Sequence, residues 1–161
     1  MTKFNLYNLK DIKIFEQLFL NIVKNDEVVV LCIGTKKYFY DSFGVICGDR
    51  IKNINVYCYG SSKREVNGLN FKQVYAFIKS KHKTSKIVVI DSVFSRAKNP
   101  PILILKNGGI IPSGINNNQE IGDVGILFNM FSYHNTDIIE SVINFIENVI
   151  KKYCQNLKKT F

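Results

Sequence analysis

Tryptophan is absent from this chain, histidine occurs twice and proline three times in 161 residues. Without tryptophan, the twelve phenylalanines and eight tyrosines must supply the bulky core groups. Neither His82 nor His134 lies near a carboxylate in sequence, so each is expected at the surface rather than as a ligand. The four cysteines, Cys32, Cys47, Cys58 and Cys154, show no C-x-x-C spacing and sit in apolar surroundings. That argues for reduced core thiols and against disulfides or a thiolate metal site, and so for an intracellular chain. No apolar run approaches the roughly 20 residues of a spanning helix. "MTKFNLYNLKDIK" has no apolar h-region, so neither a signal peptide nor a membrane partner is expected and the location is cytoplasmic. G-x-G-x-x-G and G-x-S-x-G are both missing, which removes the dinucleotide fingerprint and the nucleophile elbow.

Acids are scarce too: 13 against 22 lysines and arginines, a net charge of +9. Such an excess attracts phosphate-rich partners, or simply coats a solvated surface with lysine. Only "SKHKTSK" (80–86) and "KKYCQNLKK" (151–159) cluster. Neither carries a run of interleaved aromatics or a docking motif, so nucleic acid is not expected as a partner.

What is present is a regular alternation of elements in one domain spanning 1–161. Its core is expected over about 25–150, after an N-terminal helix (8–25) and before a basic C-terminal tail (151–161). Phe15, Leu18, Phe19 and Ile22 have helical spacing, and Asn8 with Asp11 resembles a capping box. "EVVVLCIG" (27–34) reads as a strand covered on both faces. A short helix follows over 41–53, where Gly44 and Gly48 would let backbone approach closely. Further strands are predicted over 54–60, 85–92, 101–114 (two, around a Gly-Gly turn) and 122–130. Further helices are predicted over 70–82, with Asn70 and Gln73 as its cap, and over 135–154. The order α-β-α-β-α-β-β-β-α argues for an α/β/α sandwich on a mostly parallel sheet.

In such sheets ligands bind beyond the carboxyl ends of the parallel strands. Asp41 follows the first predicted strand and Asp91 ends the third, 50 positions later. If those strands are neighbours, the two carboxylates share one rim. A close pair of carboxylates shares a proton, so one can activate water while the other donates. The structural alternatives are a helix cap for Asp41 and a turn for Asp91. The loop "IIPSGINNNQEIGD" (110–123) either borders the cleft through Ser113 or Asn116 or is a solvated connection.

The ordered set "VVVLCIGT…DSFG", "VYCYG", "VVIDSVFSR", "IPSG" and "IGDVGI" resembles the YyaC family of sporulation proteins. That family is similar to the germination protease GPR and, more distantly, to hydrogenase maturation proteases. The resemblance covers about 25–150 and implies a phosphorylase/hydrolase-like three-layer sandwich. It implies a sporulation-linked endopeptidase with Asp41 (in "DSFGV") and Asp91 (in "DSVFSR") as catalytic aspartates and Arg96 supporting Asp91. The implied partner is a protein or peptide substrate such as a small acid-soluble spore protein, in the forespore or mother cell. A homo-oligomer stays open, and a non-catalytic binding or regulatory module of the same fold is the alternative. The chain departs from GPR in lacking its extra length and zymogen regions. Ser42 follows Asp41 where the hydrogenase enzymes carry Glu, and no histidine lies between Asp91 and Asp123. The nickel set is therefore incomplete and no cofactor is expected, with Mg²⁺ or Mn²⁺ between the aspartates as a further reading.

Overall fold

β-branched runs without polar alternation become the inner strands. "VVVLC" is β2 (Val28–Cys32), and every one of its residues is buried. "KIVVIDS" is β4 (Lys86–Ser92), and the two pair in parallel with Val30 opposite Val88. This computed structural model describes residues 1–94, 102–112, 119–130 and 136–159. The remaining strands are β1 (Thr2–Asn5), β3 (Tyr57–Tyr59), β5 (Ile102–Asn107) and β6 (Val124–Phe128). They form one sheet in the order β1-β5-β6-β4-β2-β3. β6, β4, β2 and β3 are mutually parallel, while β5 runs antiparallel to both of its neighbours.

Among the described residues there are four α-helices: α1 (Leu9–Val23), α2 (Phe43–Ile51), α3 (Phe71–Lys81) and α4 (Thr136–Lys159). Alternate strand residues feed two separate apolar clusters. Val28, Val30, Cys32, Val88, Ile90 and Ile126 pack with Phe15 and Phe19 of α1, Cys47 and Ile51 of α2, and Val142 and Ile146 of α4. Val29, Leu31, Ile87 and Val89 pack with Phe71 and Ile78 of α3. The four cysteines are free thiols, and three of them are buried.

The glycine pair of α2 does what its spacing predicts. A Cβ on Gly44 would lie 2.1 Å from the Ile33 carbonyl oxygen, and one on Gly48 would lie 1.8 Å from that of Gly60. The helix therefore sits directly on the carboxyl ends of the central strands.

Several elements differ from expectation. β1 was not predicted: of its four residues only Phe4 is apolar and buried, and antiparallel pairing with β5 holds it. Ile110 makes a single bridge to Ile121 rather than a second strand after the Gly-Gly turn. α4 runs on through Lys159, so the basic segment expected as a tail is helix. Asn70 holds the N-cap position of α3, as expected, but its side chain bonds no N–H of the helix. Its side chain accepts from the Asn67 N–H and donates to the Glu65 carbonyl, which closes the preceding loop instead. Asn8 caps α1 through the Lys10 N–H, but Asp11 accepts from Asn5 N–H at 2.8 Å, outside the box.

Candidate functional site

β2 and β4 are adjacent and parallel, so their carboxyl ends open on the same side of the domain. Asp91 is the penultimate residue of β4. Asp41 closes a single 3₁₀ turn (Phe39–Asp41) between β2 and α2. The turn folds back over the strand end. Thr35 N–H donates to the Asp41 carbonyl at 2.9 Å, and Ile33 N–H donates to the Ile90 carbonyl at 2.9 Å. Gly34 makes the fold-back feasible: its φ is 143°, and a Cβ there would stand 2.1 Å from the Asp41 carbonyl oxygen.

The two acids differ in environment. Asp91 is 4% exposed. Burial pushes its pKa up to about 8, the Ser92 N–H at 2.7 Å from Oδ1 opposes this, and the charge of Asp41 adds to it. Asp41 is half-buried, and burial raises its carboxyl as well, against the Thr35 N–H and with the charge of Glu65. Asp91 is therefore neutral at pH 7 and able to donate a proton. The Ser92 hydroxyl oxygen beside it is buried without a hydrogen-bond partner among the described residues.

Asp41 is not the helix cap that its position suggested. Ser42 is the N-cap of α2, and its hydroxyl donates to the Phe39 carbonyl at 2.7 Å rather than to a helix N–H. Asp41 thus lies one residue outside the helix, and burial outweighs any pull of the helix dipole on its charge. Arg96, His134, Ser113 and Asn116 fall outside the described residues. His82 is a correction: it is 7% exposed, not a surface residue. The turn after α3 tucks it against β3, where its Nε2 lies 2.8 Å from the Tyr59 hydroxyl.

Sequence reasoning missed two neighbours of the pair. Glu65 accepts the Lys36 N–H at 2.8 Å, which with Thr35 holds its carboxyl below the usual range. It stands 24 positions beyond Asp41 and carries no local signal. The second is an aromatic rim. Tyr38 and Tyr40 stack with ring centroids 5.7 Å apart, and Tyr40 meets Phe94 edge-on at 6.5 Å. The run "YFY" in a loop was the available signal, since loops seldom expose three rings in succession. Among the described residues, no three of His, Cys, Asp or Glu converge as a metal site, and no helix is long and apolar enough to cross a membrane.

A family model described as "Protein of unknown function (DUF1256)" matches residues 3–152. The chain belongs to this DUF1256 family. Its match takes in β1 through most of α4, and so both aspartates. Among curated proteins the chain is similar to the "Uncharacterized protein YyaC" of Bacillus subtilis (strain 168), at 24% identity over 141 residues. That alignment covers 83% of this chain and 69% of the relative.

Proposed function

We propose that this DUF1256 protein is a cytoplasmic, sporulation-linked endopeptidase of the GPR-like type, on a phosphorylase/hydrolase-like α/β/α sandwich. The observation that carries the reading is the pair itself: two acids at the carboxyl ends of adjacent parallel strands, with Asp91 neutral at pH 7. In the reaction, the Asp41 carboxylate takes a proton from water as the water oxygen bonds to the peptide carbonyl carbon. Asp91 gives its proton to the amide nitrogen as the C–N bond breaks. Arg96 would orient Asp91. The resemblance to GPR supports small acid-soluble spore proteins as substrates.

The test is cleavage of such a protein by the purified chain, beside Asp41→Asn and Asp91→Asn. Cleavage at the same rate in both variants removes the mechanism. A second reading is favoured by the depth of Asp91: a carboxyl only 4% exposed suits a closed, non-catalytic binding or regulatory module. No cleavage by the unmodified chain, with saturable binding of the same protein, selects that module.

A further inference from the structure

The end of the sheet opposite the acid pair gathers features that the sequence keeps apart. Between Glu65 and Asp91 the chain holds five lysines and no acid. Lys86 of these pairs with Asp26 at 2.7 Å. Lys72, Lys79, Lys81 and Lys83 are exposed and make no ion pair among the described residues. Lys81 ends α3 and Lys83 lies in the turn leading to β4, so both stand at the amino ends of the parallel strands.

The second lysine cluster arrives at the same end from the other face. The last turns of α4 pack there, with the Tyr153 hydroxyl donating to the Asp26 carbonyl at 2.7 Å and Cys154 Sγ 3.6 Å from the Asn55 carbonyl. Lys158 of that turn is exposed and has no carboxylate partner among the described residues. Between the clusters runs edge strand β3. Tyr57 is 55% exposed and Phe77 is 53% exposed. Tyr57 packs against His82 with centroids 4.5 Å apart and rings tilted by 53°, and Phe77 meets Tyr59 edge-on at 6.0 Å. Phe77 and Lys81 are one helical turn apart, on the same side of α3. A pocket of about 370 Å³ opens beside Tyr57, lined also by Asn55, Tyr153, Leu157 and Glu27. The acids Asp26, Glu27 and Asp123 at this end are each engaged, by Lys86, the Ser85 hydroxyl and the Ile87 N–H respectively.

We infer that this end binds single-stranded nucleic acid, with phosphates at Lys81, Lys83 and Lys158 and bases stacked on Tyr57 and Phe77. Unpaired cations flanking exposed rings are the combination that tracks a phosphate backbone while accepting any base. A duplex offers the cations its phosphates but keeps its base faces stacked away from Tyr57 and Phe77. A protein partner fits less well, because interfaces are depleted of lysine. The rings are absent from "SKHKTSK" itself. β3 and the middle of α3 supply them in three dimensions, which the linear reading could not detect.

The test is fluorescence anisotropy with a labelled oligothymidylate of about 20 nucleotides, enough to cross one such surface, against the same length of duplex. The full chain should bind the single strand more tightly than the duplex, and binding should weaken steeply with salt. Lys81→Gln with Lys83→Gln should weaken it about tenfold or more, while Lys10→Gln with Lys13→Gln, an equal charge change on α1, should leave it nearly unaltered. Tyr57→Ala should weaken it about fivefold or more, and Tyr57→Phe, which keeps the ring, should not. Circular dichroism melting verifies that each variant is folded. Absence of binding at low salt, equal loss in the α1 control, or equal affinity for duplex overturns the inference. So does a dimer, seen by sedimentation, that Tyr57→Ala abolishes, since a second copy would then be the occupant.

Discussion

At one end of the parallel strands the charge of Asp41 raises the Asp91 carboxyl, and that of Glu65 raises Asp41. At the other end Lys81, Lys83 and Lys158 flank exposed tyrosine and phenylalanine rings. One lysine-rich chain produces both. The reason is topological. In a parallel sheet the loops that leave the strands share one end, and the helices that return finish at the other. Lysines that complement the dipole in the last turns of α3 and α4 therefore collect together, away from the acids. The lesson is that burial, not local charge balance, separates the two regions. The acid end holds a carboxyl that burial keeps mostly protonated at neutral pH, whereas the lysines of the basic end are exposed.

The largest expected effect is on catalysis. Asp91→Asn or Asp41→Asn should lower the rate of peptide cleavage about 10²- to 10⁴-fold, the usual contribution of a positioned acid or base. Initial rates on a spore protein measure it, and Lys81→Gln should leave the rate unchanged. If the lysine variant fell as far, the two ends would not be functionally separate.

The next is the pH dependence of stability. The Asp91 carboxyl titrates near its ordinary value in the unfolded chain and at about 8 in the folded one. Between those values the folded chain binds more proton, so stability should fall as pH rises from about 4 to about 8. The loss from Asp91 by pH 7 is on the order of 4 kcal/mol. Urea titrations across that range should show Asp91→Asn with a flatter profile and a higher midpoint at pH 8. A parallel profile in the variant would place the titration elsewhere.

Gly44→Ala tests the seating of α2 beneath the acid end. Its Cβ would press on backbone at 2.1 Å and 2.8 Å, from Ile33 and Ile90, which cannot yield as a side-chain tip can. A loss of about 3 kcal/mol in urea denaturation is expected. The smallest effect is at an exposed link. Arg50 of α2 pairs with Glu140 and, at 3.6 Å, with Glu147 of α4. Arg50→Ala should lower stability by about 0.5 kcal/mol, and less in high salt. A loss above that of Gly44→Ala would mean that the ion pairs, not the close backbone contact, hold α2 in place.

Much of the fold was legible because the inner strands and helices are periodic. "VVVLC" and "KIVVIDS" are β-branched runs, and Phe15, Phe19, Val142 and Ile146 recur at helical spacing onto one apolar cluster. β1 was not legible, since it is a short edge strand whose only fully buried side chain is Phe4. Asn70 was legible as the N-cap position of α3, but not the use of its side chain, because a side chain that can cap a helix can equally close the loop before it. Asp41 and Asp91 were legible as chemistry-bearing positions at strand ends. Glu65 and His82 were not, since each acquires its role from a residue far away in sequence.

By itself the sequence determined the helices, the buried strands, the positions of the two acids beyond β2 and at the end of β4, and the close approach allowed by Gly44 and Gly48. Those follow from side-chain period and size, which are local. Tertiary structure decided the rest. It set β2 beside β4, and it buried Asp91 so that desolvation governs its proton. It also gathered the lysines of α3 and α4 around the rings of β3. Strand order, burial depth and the meeting of distant residues depend on how the whole chain packs, and no local window contains that information.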